Sequence, residues 1–151
     1  THTTSSAASD VYTRQEEEGS LVQSAKTHGL DLIYLAAPTT TDERLRAIGR
    51  ATSGYLYYVS LKGITGSSKL DISDVSQRVA HMRQHVSVPI CVGFGIRTAQ
   101  DAAAVSSTAD GSIVGTVLVS QVEALADQPE KIPNALKAIL EPMRQAIDTN
   151  G

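Results

Sequence analysis

Tryptophan is missing from this chain, phenylalanine and cysteine occur once each, and only 4% of residues are aromatic. A core here must be built from aliphatic side chains and a few tyrosines. The lone Cys91 excludes an internal disulfide and a zinc cluster of cysteines. Charge of one sign is missing too: the formal net charge is −3 with the signs interspersed, so no basic stripe offers itself to nucleic acid. No apolar run approaches the roughly 18 residues of a membrane span, and the N-terminus lacks the basic-then-apolar order of a signal peptide. These absences together point to a cytoplasmic protein that touches neither nucleic acid nor membrane.

What is present is the composition of a globular domain: 151 residues, 41% hydrophobic and 19% charged, enough for one ordinary domain with a real core. Residues 1–14, THTTSSAASDVYTR, are small and polar, and are expected to form a flexible tail or junction because they cannot bury enough apolar surface to offset ordering. From residue 15 the pattern alternates. Helical periodicity covers residues 16–29, 39–51, 71–86, 98–108 and 129–148, and short apolar strand-like runs lie at 31–38, 54–60, 89–95 and 110–115. Thr98 with Asp101, and Thr40 with Glu43, have the spacing of capping boxes. Strands alternating with helices predict a parallel sheet, an α/β fold, and four strand–helix units spanning residues 15–151.

Glycine is concentrated where three of these strands end. YYVS runs into LKGITGSS with Gly63 and Gly66, PICV into GFGIRT with Gly93 and Gly95, and GSIV into Gly115-Thr116. Any one of these glycines is most simply a turn or packing residue. Their recurrence at successive carboxyl ends of strands, where α/β folds place ligands, points to a site. Amides at Gly95 and Gly115-Thr116, beside the start of a short following helix, would suit a phosphate. GFGIR lacks the spaced third glycine and downstream acid of a dinucleotide fingerprint, which speaks against NAD.

Other chemistry-bearing residues have plainer readings. Glu16, Glu17 and Glu18 suit a solvated helix start. Asp31 and Asp110 precede their strands, on the face that serves stability. His81 and His85 are spaced i, i+4 without the glutamate of HExxH, so with His28 they read as exposed histidines, and no metal site is expected. Cys91 reads as a small buried hydrophobe. Alternation places Tyr55 and Tyr57 on one strand face and Leu56 and Tyr58 on the other.

Taken in order, APTTTDERLRAI, SGYLYYVSLKGITG, VPICVGFGIRTAQDAAAV and ADGSIVGTVLV resemble the C-terminal half of the tryptophan synthase alpha chain family, from about Glu16 onward. The resemblance implies the last four strands of a TIM (β/α)₈ barrel, a parallel half-barrel, in a lyase that cleaves indole-3-glycerol phosphate to indole and glyceraldehyde 3-phosphate in tryptophan biosynthesis. It also implies that Gly66, Gly95, Gly115 and Thr116 hold the phosphate, that Tyr57 and Phe94 face the indole and glycerol portion, and that Thr65 helps close the site. The family's acid–base glutamate and aspartate belong to the half with no counterpart here, so no catalytic residue is expected in this segment. By the same resemblance the partner is a pyridoxal-phosphate beta chain, while the alpha chain itself carries no cofactor. Two other readings stay open: a non-enzymatic half-barrel that associates with itself, and the phosphate-binding half of another barrel enzyme, such as an isomerase of histidine biosynthesis. Four strands also leave open edges and an inner face expected to carry Tyr55, Tyr57 and Val92, which predicts a homo-oligomer.

Overall fold

The computed structural model describes residues 18–60, 71–93 and 95–149. The expected tail at 1–14 lies outside them. The described chain runs α1 (Glu18–Thr27), β1 (Tyr34–Ala36), α2 (Asp42–Ala51), β2 (Leu56–Val59), α3 (Ile72–Met82), β3 (Ile90–Gly93), α4 (Ala99–Ser106), β4 (Gly111–Ile113), α5 (Thr116–Ala124), a 3₁₀ turn at Pro129–Lys131 and α6 (Ile132–Thr149).

The four strands form one parallel sheet in the order β1-β2-β3-β4. When neighbours in sequence are neighbours in the sheet and every crossover has the usual right hand, the helices fall on one side. Burial follows that geometry. Leu56 and Tyr58 on β2 and Ile90 and Val92 on β3 are all at most 1% exposed. They form one core with Leu45 and Ile48 of α2, Val75, Val79 and Met82 of α3, Ala102 and Val105 of α4, and Met143 of α6. Burying each large aliphatic of this set stabilises the fold by about 1.5–3 kcal/mol relative to exposure.

Residues of opposite parity, Leu35, Tyr57, Val59, Cys91 and Ile113, are only half-buried. Tyr55 is half-buried as well, and the expected split of the tyrosines holds. Val92 is a correction. It pairs with Tyr58 in the register and is fully buried on the helix side, so it belongs to the packed face and not to the open one. Cys91 is half-buried on the open face, and burial first, then the nearby Asp110 charge, pushes its thiol above the usual range.

Helix starts follow their caps. Thr98 and Asp101 form the expected capping box on α4, with the Asp101 amide donating to Thr98 Oγ1 at 3.1 Å and Asp101 Oδ2 accepting from the Thr98 amide at 3.0 Å. The box expected at Thr40 and Glu43 does not form. Thr41 is the N-cap of α2, and Thr40 Oγ1 instead accepts from the Ala37 amide at 2.9 Å, closing the turn after β1. Gly49 lies where α2 meets the turn after α3, and a Cβ there would collide with the His85 carbonyl oxygen, so the close approach of the two segments requires glycine.

Candidate anion site at the carboxyl ends of the strands

β3 and β4 are paired through Gly93 and Ile113, so Gly95 and Gly115, two residues beyond each, emerge side by side at the same end of the sheet. Neighbouring strands lie about 4.8 Å apart. Gly95 adopts φ +78°, a left-handed conformation that L side chains rarely take, and a Cβ built on it or on Gly115 meets nothing within 4 Å among the described residues. Among the described residues, both glycines therefore border open space.

Of the helices that begin at this end, α4 and α5 follow the two glycine-bearing strands, and they differ in how their first amides are used. At α4 the Asp101 carboxylate accepts from the amides of Arg97 and Thr98. Partial burial disfavours its charged form, but the Thr98 and Arg97 hydrogen bonds outweigh that and hold the carboxyl below its ordinary range. At α5 the N-cap is Gly115, which has no side chain to accept from the first-turn amides, and no side-chain cap is made among the described residues. Thr116 at the first position is exposed. The nine-residue helix thus presents its positive end and uncapped N–H groups to the open space beside Gly95. An anion with several acceptor oxygens is the chemical complement of such a corner.

Tyr57 approaches the same end from the open face of the sheet. Its ring covers Gly93, where an added Cβ would stand 2.5 Å from Tyr57 Cε2 and Oη. Tyr57, Gly95, Gly115 and Thr116 are therefore brought to one corner. Thr65, Gly66 and Phe94 lie outside the described residues. Of the described carboxylates in the first turns that begin at this end, Asp71 and Asp101 cap α3 and α4, while Asp42 and Glu43 open α2 and Asp74 lies in the first turn of α3.

The opposite end is structural, as expected for Asp110. Its Oδ2 accepts from the Ile90 amide at 2.8 Å and its Oδ1 from Arg83 Nη2 at 3.0 Å. Partial burial opposes its charge, yet the Ile90 amide and the Arg83 guanidinium prevail and hold the carboxyl below the usual range. Asp31 is exposed at the amino end of its strand, beside Gly54. His81 and His85 do not stand alone on their helix face: Asp42, at the first position of α2, meets both. That grouping had no signal in sequence, because 39 residues separate Asp42 from His81.

The sequence profile of the family described as "Tryptophan synthase alpha chain" matches residues 10–148. The tryptophan synthase alpha chain of Nitrosococcus oceani is 49% identical over 133 residues, covering 88% of this chain and 49% of the relative. That of Marinobacter nauticus is 50% identical over 120 residues, covering 80% and 44%. Among solved structures, the tryptophan synthase alpha chain from Legionella pneumophila superposes with a TM-score of 0.75 at 38% identity, covering 90% of this chain and 49% of that one. The chain spans about half the length of the curated relatives it matches.

Proposed function

The chain belongs to the tryptophan synthase alpha chain family, and from that membership we propose that it is the phosphate-binding, C-terminal half of a TIM-barrel lyase that cleaves indole-3-glycerol phosphate to indole and glyceraldehyde 3-phosphate. The observation that carries the reading is the uncapped start of α5 at Gly115 beside the open space at Gly95. A phosphate placed there accepts hydrogen bonds from the Gly95, Gly115 and Thr116 amides, with Gly66 completing the cradle. Tyr57 and Phe94 then border the indole and glycerol portion, and Thr65 helps close over it.

Cleavage of the bond between indole and the glycerol chain needs an acid to protonate the indole ring and a base on the glycerol hydroxyl. Asp71 and Asp101, at the starts of α3 and α4, are committed to helix caps. The acid and base come from the other four strands, and this half alone holds substrate without turning it over. The setting is cytoplasmic, the chain carries no cofactor, and the assembled alpha chain docks on the pyridoxal-phosphate beta chain that consumes indole. No helix among the described residues is long and apolar enough to cross a membrane.

The test is indole release from indole-3-glycerol phosphate. The chain alone is expected to stay at background, and mixing it with the complementary N-terminal half of a relative is expected to raise the rate, since positioned proton transfer alone is worth about 10²–10⁴. Release by the isolated chain at enzymatic rates would overturn the division of labour between the halves. A second reading, a self-associating half-barrel without catalysis, is favoured by the half-buried row Leu35, Tyr57, Val59, Cys91 and Ile113. In either case the cover for that row is a second set of four strands, from the missing half or from another copy.

A further inference from the structure

On the helix side of the sheet, three metal-ligating side chains converge from α2, α3 and the turn after α3. Asp42 is the first residue of α2, His81 lies in the last turn of α3, and His85 sits in the turn that follows. One ligand atom from each lies within 4.8 Å of the others. His81 Nε2 is 2.8 Å from Asp42 Oδ1, and His85 Nε2 is 3.9 Å from Asp42 Oδ2. We propose that Asp42, His81 and His85 form a binding site for a late first-row divalent cation, with zinc as the representative ion, that clamps α2 to α3.

Three observations carry this. His85 Nε2 is buried and has no hydrogen-bond partner, although its ring faces a carboxylate. The 3.9 Å gap is too long for a hydrogen bond. It is close to what a shared ion needs, because two donors each about 2.0–2.1 Å from one tetrahedral zinc stand roughly 3.3 Å apart. The backbone is already fixed for it: Gly49 seats α2 directly against the His85 carbonyl, so the histidine cannot drift from the helix that carries Asp42. The remaining adjustment falls on His81 and Asp42, whose side chains are 44% and 52% exposed and free to rotate toward the ion.

The donor set selects the ion. Two imidazoles and one carboxylate suit Zn²⁺, Co²⁺, Ni²⁺ or Cu²⁺ rather than Mg²⁺ or Ca²⁺, which prefer oxygen. Arg46, one turn along α2 from Asp42, adds positive charge and further disfavours a cation held by charge alone. On binding, the ion replaces the proton that His81 Nε2 shares with Asp42; that proton moves to Nδ1 of the neutral ring or to solvent. Water fills the remaining position. A cleft of about 400 Å³ that is lined in part by Arg46, Gly49, Arg83 and Gln84 opens beside His85.

The experiment is calorimetric titration of the 151-residue chain with Zn²⁺ in a non-chelating buffer, together with its Tm and the visible spectrum of the Co²⁺ form. One ion per chain, a raised Tm and a Co²⁺ spectrum typical of histidine and carboxylate ligation are expected. Asp42→Asn and His81→Ala, both at exposed side chains, are each expected to weaken binding at least about tenfold, and His28→Ala to leave it unchanged. His85→Ala is expected to abolish the Tm gain; should that variant fail to fold, the two exposed substitutions decide the matter. No saturable binding by the parent chain, or equal binding by Asp42→Asn and His81→Ala, overturns the site.

Discussion

The Tyr57 ring lies directly over Gly93, on the neighbouring strand and two residues past its register partner Cys91. A methyl group at Gly93 would stand 2.5 Å from the ring, so Gly93→Ala must displace it. We expect Gly93→Ala to cost about 1–2 kcal/mol of stability, the range of modest overpacking. Combining it with Tyr57→Ala should recover most of that cost, because the two sites share one space. Chemical denaturation of the four variants of the cycle measures this, and additive costs would show that the ring does not hold that position.

Phosphate affinity should depend on amides and not on the nearby cation. Gly115→Val places methyl groups over the first turn of α5 and is expected to weaken inorganic phosphate binding at least about tenfold, roughly 1.4 kcal/mol. Gly95→Val is expected to block the corner as well, with added strain from φ +78°. Arg97→Ala should change affinity far less. Titration of phosphate into the three variants decides it, and equal losses would remove the proposed corner.

Asp110 should make acid stability depend on pH in a defined direction. Its carboxyl is held below the ordinary range in the folded chain, so its stabilising contribution is complete above the unfolded value of about 3.9 and is lost as pH falls through the folded one. Asp110→Asn is expected to cost about 1 kcal/mol at pH 7, a modest figure because the side chain is 36% exposed and water screens the Arg83 pair. The gap between variant and parent should shrink toward pH 3. A gap that stays constant across that range would assign Asp110 no electrostatic role.

The open face of the sheet predicts association. With Leu35, Tyr57, Val59 and Ile113 half-buried on one side, the purified chain is expected to sediment as a dimer or larger at micromolar concentration. Leu35→Asp, at the β1 edge of that row, should shift it toward monomer, while Val119→Asp on the exposed side of α5 should not. A monomeric parent chain would mean that the face is covered from within.

The strand–helix alternation and the parity of Tyr55 and Tyr57 against Leu56 and Tyr58 are written in the local sequence, because period-2 patterning is a property of one strand. Val92 was not legible in that way. Which face it joins depends on its register with Tyr58, a long-range pairing that PICVG alone does not encode. The α2 cap was ambiguous for another reason: three threonines in a row offer the same hydroxyl, and the choice of Thr41 follows from Thr40 being used by the Ala37 amide. The glycine-bearing strand ends were visible as candidates, but the contrast between a filled α4 start and an open α5 start needed the hydrogen bonds. The meeting of Asp42 with His81 and His85 is purely tertiary.

Because the sheet runs β1-β2-β3-β4 in chain order, each strand after the first docks on a neighbour made just before it. During synthesis no strand has to wait for a distant partner, and each closure spans only one helix, which keeps the entropic cost of every step low. Such a chain can grow one unit at a time from its leading edge. A ribosome stalled after β3 would already carry a three-stranded sheet, whereas an architecture whose first and last strands pair at the centre would carry nothing stable until release.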